Sequence, residues 1–182
     1  MRDLILERGY GGTSVDVICE RCGVSKGSFF HHFCSKEEAA QESLKFWMAS
    51  MKAKAAESGY AEATDPVQRL MLYLDWFAQF IGSPDAPPGC LLGTLALELS
   101  DTHEAIRTIA SQCFAGWIGE LANMIQAAMG DDEPARSREL AEHFVSSLEG
   151  GLLLAKTRED KSVVARNVVH FRHYLESLLG AT

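Results

Sequence analysis

The segment Thr13 to Lys36, TSVDVICERCGVSKGSFFHHFCSK, constrains this chain more than any other stretch. Val15, Ile18, Cys19 and Cys22 fall at i, i+3, i+4 and i+7, which predicts a short helix with one apolar face. Thr13 is expected to cap it, with Asp16 three residues on. Gly23 stands where a helix ends in a left-handed residue, a conformation glycine adopts without a steric cost. Ser25 is then expected to cap a second helix over Lys26 to His32. Phe29 and Phe33, four apart, can pack on the first helix. Lys26, Ser28, Phe30, His31 and His32 are left facing outward. Ser35, with Glu38 three on, opens a third helix through a capping box, and Lys36 lies in its first turn. Two short helices about a glycine turn, the second with a polar outer face, form the helix-turn-helix pattern, whose second helix suits the major groove of DNA. A small helical bundle without a DNA role is the alternative.

Charge qualifies that implication. The chain has 182 residues and a formal net charge of −8. Residues 1–57 hold eight Lys/Arg and eight Asp/Glu, net zero, and residues 58–182 hold nine and seventeen, net −8. The acidic excess therefore lies wholly outside the helix-turn-helix. A neutral head is not a polybasic footprint, so DNA contact would lean on local hydrogen bonds and helix N-termini.

The run GGTSVDVICERCGVSKGSFFHHFCSKEEA resembles the DNA-binding domain of the TetR family of transcriptional repressors. The resemblance is carried by the Thr13 start, the Gly23-Val24-Ser25-Lys26-Gly27-Ser28 turn, the Phe30 to Phe33 group and Ser35-Lys36-Glu37-Glu38. It covers the first quarter of the chain closely and the rest through helix pattern and length. It implies an all-α fold in two domains, a helix-turn-helix domain over 1–50 and an effector-binding and dimerisation domain over 51–182. It also implies a homodimer acting on a palindromic double-stranded operator, and release by a small-molecule effector. Carried over by position, Thr13 and Ser25 would meet phosphate, Lys26 and Ser28 would read bases or backbone, and His31, His32 and Lys36 would contact the backbone. Phe30 departs from the tyrosine usual there, leaving packing on sugar or a thymine methyl. The first helix, Met1 to Arg8, is shorter than is usual in the family.

The remaining chain reads as helices throughout, about nine in all with no strand. Leu44, Trp47, Met48 and Met51 mark a long helix to about Glu57. Asp65-Pro66 opens the next, with Val67, Leu70, Met71, Leu74, Phe77 and Ile81 as its stripe. Gly82-Ser83-Pro84 and Pro87-Pro88-Gly89 bracket a loop. A short helix runs from Cys90 to Leu99, a long one from Asp101 to about Met129, and Gly130 to Pro134 is an acidic break. The last two helices are expected at about 137–157 and 161–179. The first of them carries Ser146, Ser147, Gly150 and Gly151, which cost helix propensity and point to close approach of another helix. The family resemblance implies that this terminal pair dimerises; packing within its own domain is the alternative.

The middle helices are rich in large soft side chains. Met71, Phe77, Phe80, Phe114, Trp117 and Met124 are the candidate effector pocket, where the resemblance implies a cavity and the side chains imply an apolar or aromatic ligand. Ordinary core is the competing reading for each. Cys90 joins the candidates because it begins a helix, a position that favours the thiolate. The GCLLG…LALELS run resembles electrophile-sensing TetR-like repressors, making a Cys90 redox sensor the alternative function; a buried apolar cysteine is the plainer reading. Cys19-x-x-Cys22 lacks a second ligand pair, so no metal is expected, and no cofactor either. An all-α enzyme is a further class, but no nucleophile–base spacing, phosphate loop or metal signature supports it, and no catalytic residue is assigned. Five cysteines, no signal peptide and no run of about 18 apolar residues imply a reduced, cytoplasmic protein.

Overall fold

The computed structural model describes residues 1–84, 86–130 and 133–180. Asp85 in the predicted loop and Asp131 and Asp132 in the predicted acidic break lie outside the described residues. Nine α-helices and one 3-10 turn form the described chain, with no strand among the described residues. They are α1 (Arg2–Arg8), α2 (Val15–Cys22), α3 (Lys26–His32), α4 (Lys36–Glu57), α5 (Pro66–Gly82), α6 (Leu91–Leu99), α7 (Glu104–Met129), α8 (Pro134–Arg158) and α9 (Ser162–Leu178). The 3-10 turn, Tyr60–Glu62, precedes α5.

Local chemistry sets most of these boundaries. Asp65 accepts the Gln68 amide at 2.8 Å and Pro66 takes the first helical position, so α5 begins where its sequence says. Gly23 ends α2 at φ 66°, as expected of a left-handed terminator. The α7 start moves from Asp101 to Glu104, because Thr102 and His103 turn back on the Leu99 carbonyl. Pro134 moves the α8 start three residues earlier than Ser137.

The chain packs as two compact units, residues 1–51 with 87–113, and residues 52–86 with 114–182. In the first, Leu4, Ile18, Cys19, Phe29 and Ala39 form a small core, and α6 lies against α1. Leu44 and Trp47 are buried on α4, as the periodicity predicts. Cys22 is exposed, which corrects its assignment to the core stripe: the eight-residue α2 buries only Ile18 and Cys19.

The second unit has the larger core. Leu70, Tyr73, Leu74, Phe77 and Ile81 of α5 meet Leu121 and Ile125 of α7, Phe144 and Leu148 of α8, and Val164, Phe171 and Leu175 of α9. Burying each such side chain is worth about 1.5–3 kcal/mol. Arg172 of α9 reaches Asp75 of α5 at 3.1 Å and Glu176 one turn on at 2.7 Å. The small residues of α8 divide. Gly151 is buried, and a Cβ there would stand 2.8 Å from Asn167 Nδ2 and 3.5 Å from Val164 Cα. Asn167 also donates to the Ser147 carbonyl at 2.9 Å. Gly151 therefore serves the packing of α8 on α9 within one chain, whereas a Cβ at Gly150 would meet open space.

Candidate nucleic-acid interface

Helix α3 presents the predicted outward face. The Ser25 hydroxyl accepts the Ser28 amide at 3.0 Å, capping the helix, and Phe29 anchors the inner side with only 5% of its surface exposed. Phe29 packs on both Phe30 and Phe33. Ser25, Lys26, Ser28, Phe30, His31 and His32 are exposed together, Phe30 by 52%. The His31 and His32 rings lie edge to face at 5.1 Å. Six of the eight expected contact residues are thus exposed on one short helix and its cap.

The other two do not. Thr13 is fully buried, and its hydroxyl donates to the Gly9 carbonyl at 2.7 Å. Ser14 caps α2 instead, accepting the Val17 amide at 3.2 Å, and is exposed. The hydroxyl available to phosphate at this helix start is therefore that of Ser14. Lys36 turns inward as well. Its Nζ donates to the Tyr10 carbonyl at 3.1 Å and stands 3.8 Å from the centre of the Tyr10 ring. Burial pushes the Lys36 amine below its usual pKa. Its first duty is to tie α4 to the α1–α2 turn. Glu38 accepts from the Cys34 amide while its own amide donates to Ser35, so the capping box closes one residue earlier than expected.

Charges on this unit are largely matched. Lys26 lies 2.7 Å from Asp16, and this partner raises the lysine pKa. Arg21 grips Glu7 through both guanidinium nitrogens at 3.2 and 3.0 Å, holding the carboxyl below its usual range. Arg2 pairs with Asp3, Arg8 with Glu7 and Lys45 with Glu42.

The candidate effector residues fall on both units. Cys90 belongs to the first, and Met71, Phe77, Phe80, Phe114, Trp117 and Met124 to the second. Phe77 is buried, and the other five are partly buried against its core. Phe77 stacks on Trp117 at 5.8 Å and Phe80 on Trp76 at 5.7 Å, with Lys54 5.5 Å above the Phe80 ring. Tyr73, absent from the sequence reading, sits at the centre: its hydroxyl accepts from Trp117 Nε1 at 3.0 Å, and burial pushes its pKa well up. No periodicity marks a tyrosine as a buried acceptor. Cys90 caps α6, its sulfur accepting the Gly93 amide at 3.4 Å. An open groove of about 730 Å³, lined by Glu37, Thr102, His103, Glu104, Ala105, Thr108 and Ile109, lies in the first unit and shares no residue with the candidate pocket. Among the described residues no group of three His, Cys, Asp or Glu could hold a metal ion.

Comparison with known proteins bears on these features. Residues 2–42 match the family model for bacterial regulatory proteins of the tetR family. Residues 66–167 match that for the C-terminal domain of LmrA/YxaF-like transcriptional regulators. The HTH-type transcriptional repressor DhaR of Mycobacterium sp. (strain GP1) is 29% identical over 163 residues, covering 87% of this chain and 79% of that protein. A TetR-family regulator from Agrobacterium tumefaciens superposes with a TM-score of 0.79 at 22% identity, covering 95% of this chain and 92% of that one. The reduced form of E. coli NemR does so at 0.76 and 23%, covering 93% and 90%. These likenesses confirm the all-α fold. The electrophile-sensing alternative is not favoured, since the C-terminal match is to the LmrA/YxaF-like regulators. The two family matches span the helix-turn-helix and most of the remaining helices, and the chain belongs to the TetR family of bacterial transcriptional regulators.

Proposed function

We propose that this chain is a homodimeric repressor that binds a palindromic DNA operator through α3 and is released by a small apolar or aromatic effector held in its C-terminal helices. The observation that carries the DNA reading is the exposed set Ser25, Lys26, Ser28, Phe30, His31 and His32 on a helix anchored from behind by Phe29. Such a helix offers hydroxyls, imidazoles and one ammonium to the groove, and Phe30 a flat apolar contact for a thymine methyl. Ser14 and the α2 N-terminus supply a phosphate site.

The division of labour follows the sequence, with residues 1–50 reading DNA and 51–182 binding effector and partner. Dimerisation through α8 and α9 is supported by apolar side chains left exposed there: Leu153 by 59%, Leu154 by 42%, Val169 by 41% and Tyr174 by 49%. An effector would enter among Met71, Phe80, Phe114, Trp117 and Met124, where rings are partly exposed beside a buried core. The protein binds its effector without turning it over and works in the cytoplasm. No helix among the described residues is long and apolar enough to cross a membrane.

Fluorescence anisotropy with the intergenic DNA beside its own gene, over a salt series, tests this reading. Tight binding to one duplex and weak binding to its scrambled counterpart is the expected result. Equal affinity for both, or none at low salt, would overturn it. Trp fluorescence against a panel of aromatic and anionic compounds tests the pocket, and a response confined to small polar anions would count against it.

A further inference from the structure

The turn between α1 and α2 is held by two other helices and by the loop before α7. Glu98 of α6 accepts two consecutive backbone amides there, Tyr10 N–H on Oε1 and Gly11 N–H on Oε2, each at 3.0 Å. Eighty-eight residues separate Glu98 from Tyr10. Lys36 of α4 takes the Tyr10 carbonyl and lies over its ring. His103, just before α7, meets the same ring edge to face at 5.9 Å. Tyr10 is only 7% exposed, so its amide, carbonyl and ring are all engaged. The backbone is shaped for the carboxylate: Gly9 has φ 77°, and a Cβ there would stand 2.5 Å from Glu98 Oε1. An ionised carboxylate spanning adjacent amides makes two charge-assisted hydrogen bonds whose directions fix its position along the turn.

Sequence and packing disagree about where α6 belongs, and Glu98 lies at that disagreement. The C-terminal family match, 66–167, includes α6, yet α6 packs in the unit that contains α1, α2 and α3. We propose that Glu98 is the positioning residue by which the regulatory part of the chain sets the DNA-reading helices: its carboxylate clamps the Tyr10–Gly11 amides, fixing the α1–α2 turn and with it the start of α2. A displacement of α6 by about an ångström breaks both hydrogen bonds together, because neither amide has slack at 3.0 Å. Gly9 is the matching half of the device. The proposal rests on the DNA-binding reading above and deepens it.

Amide hydrogen exchange and operator binding, measured on the full-length protein and on Glu98→Ala, Glu98→Gln and Gly9→Ala, separate the two ideas. The duplex is the intergenic DNA beside the gene, with its protected segment located by footprinting. In Glu98→Ala, Tyr10 and Gly11 amides exchange at least about tenfold faster while those of α9 do not change, as expected for loss of hydrogen bonds to a charged acceptor. Operator affinity falls about tenfold and scrambled-duplex affinity less than about twofold, since non-specific contact tolerates a misplaced helix. Glu98→Gln, which keeps one accepting oxygen, is intermediate. Gly9→Ala drives a methyl against the Glu98 carboxylate from the turn side and adds backbone strain at φ 77°, so it reproduces the phenotype, and the Gly9→Ala/Glu98→Ala pair is less than additive. Unchanged exchange at Tyr10 and Gly11 in Glu98→Ala would overturn the clamp. Faster exchange with undiminished operator affinity would overturn its positioning role. A wild-type protein that binds no duplex would overturn the DNA reading itself, while the exchange data still decide whether the clamp exists.

Discussion

Lys26 Nζ stands 2.7 Å from the Asp16 carboxylate, so the one lysine of α3 is already paired within the chain. Both side chains are exposed, by 59% and 70%, and such a pair opens readily. Asp16→Asn should therefore release the ammonium to phosphate. Affinity for a scrambled duplex is expected to rise about two- to five-fold, and the salt slope to steepen by about one. Operator affinity gains less, so discrimination falls. Anisotropy titrations on both duplexes check this; an unchanged salt slope would mean that Lys26 never reaches the backbone.

Thr13 and Ser14 are adjacent hydroxyls with opposite duties. Thr13→Val removes a buried donor to the Gly9 carbonyl and should lower stability by about 1–2 kcal/mol in urea unfolding. Ser14→Ala removes an exposed cap worth about 1 kcal/mol and should also weaken every duplex alike. A Thr13→Val protein of normal stability but poor DNA binding would reverse these roles.

Gly150 and Gly151 make the corresponding contrast in α8. Gly151→Ala drives a methyl against Asn167 and Val164 and should cost about 1–3 kcal/mol. Gly150→Ala meets open space within the chain and should add up to about 1 kcal/mol of helix propensity to an isolated subunit. If α8 forms the dimer interface, that same methyl weakens self-association. Thermal unfolding and sedimentation of the two variants read both effects.

Tyr73 is expected to make the protein sensitive to alkali. Burial raises its pKa above the unfolded value near 10, so the folded state holds the phenol proton longer than the unfolded state does. The stability tied to that proton is fully present below about pH 10 and is lost as pH rises from there towards the folded pKa. Tyr73→Phe should lower stability by about 1 kcal/mol at pH 7, because Trp117 loses its acceptor, and should flatten the alkaline decline. Urea midpoints at pH 7 and over pH 9–11 check both halves of the statement.

Much of this was legible in the residues, and the failures share a cause. The α5 stripe, the Asp65-Pro66 start, the Gly23 terminator and the Ser25 cap are local, each decided within about one helical turn. Thr13 and Ser14 could not be told apart locally, since either hydroxyl can cap; the choice falls to the Gly9–Thr13 turn that pulls Thr13 inward. The Lys36 bond to the Tyr10 carbonyl spans 26 residues, which no local pattern signals. Gly150 and Gly151 look identical until α9 is laid against one of them. Tyr73 carries its partner 44 residues on, and Glu98 carries its own 88 residues back, beyond any periodicity.

The six Lys and Arg residues of positions 1–51 all have partners on the protein, five on carboxylates and Lys36 on Tyr10. A head built this way draws little on long-range attraction to find DNA, and it would spend little time held on the wrong stretches of a chromosome. Its residence at the correct site would then be set by shape and hydrogen-bond fit. Small copy numbers could suffice for control, because few molecules would be sequestered by the vast excess of non-operator DNA.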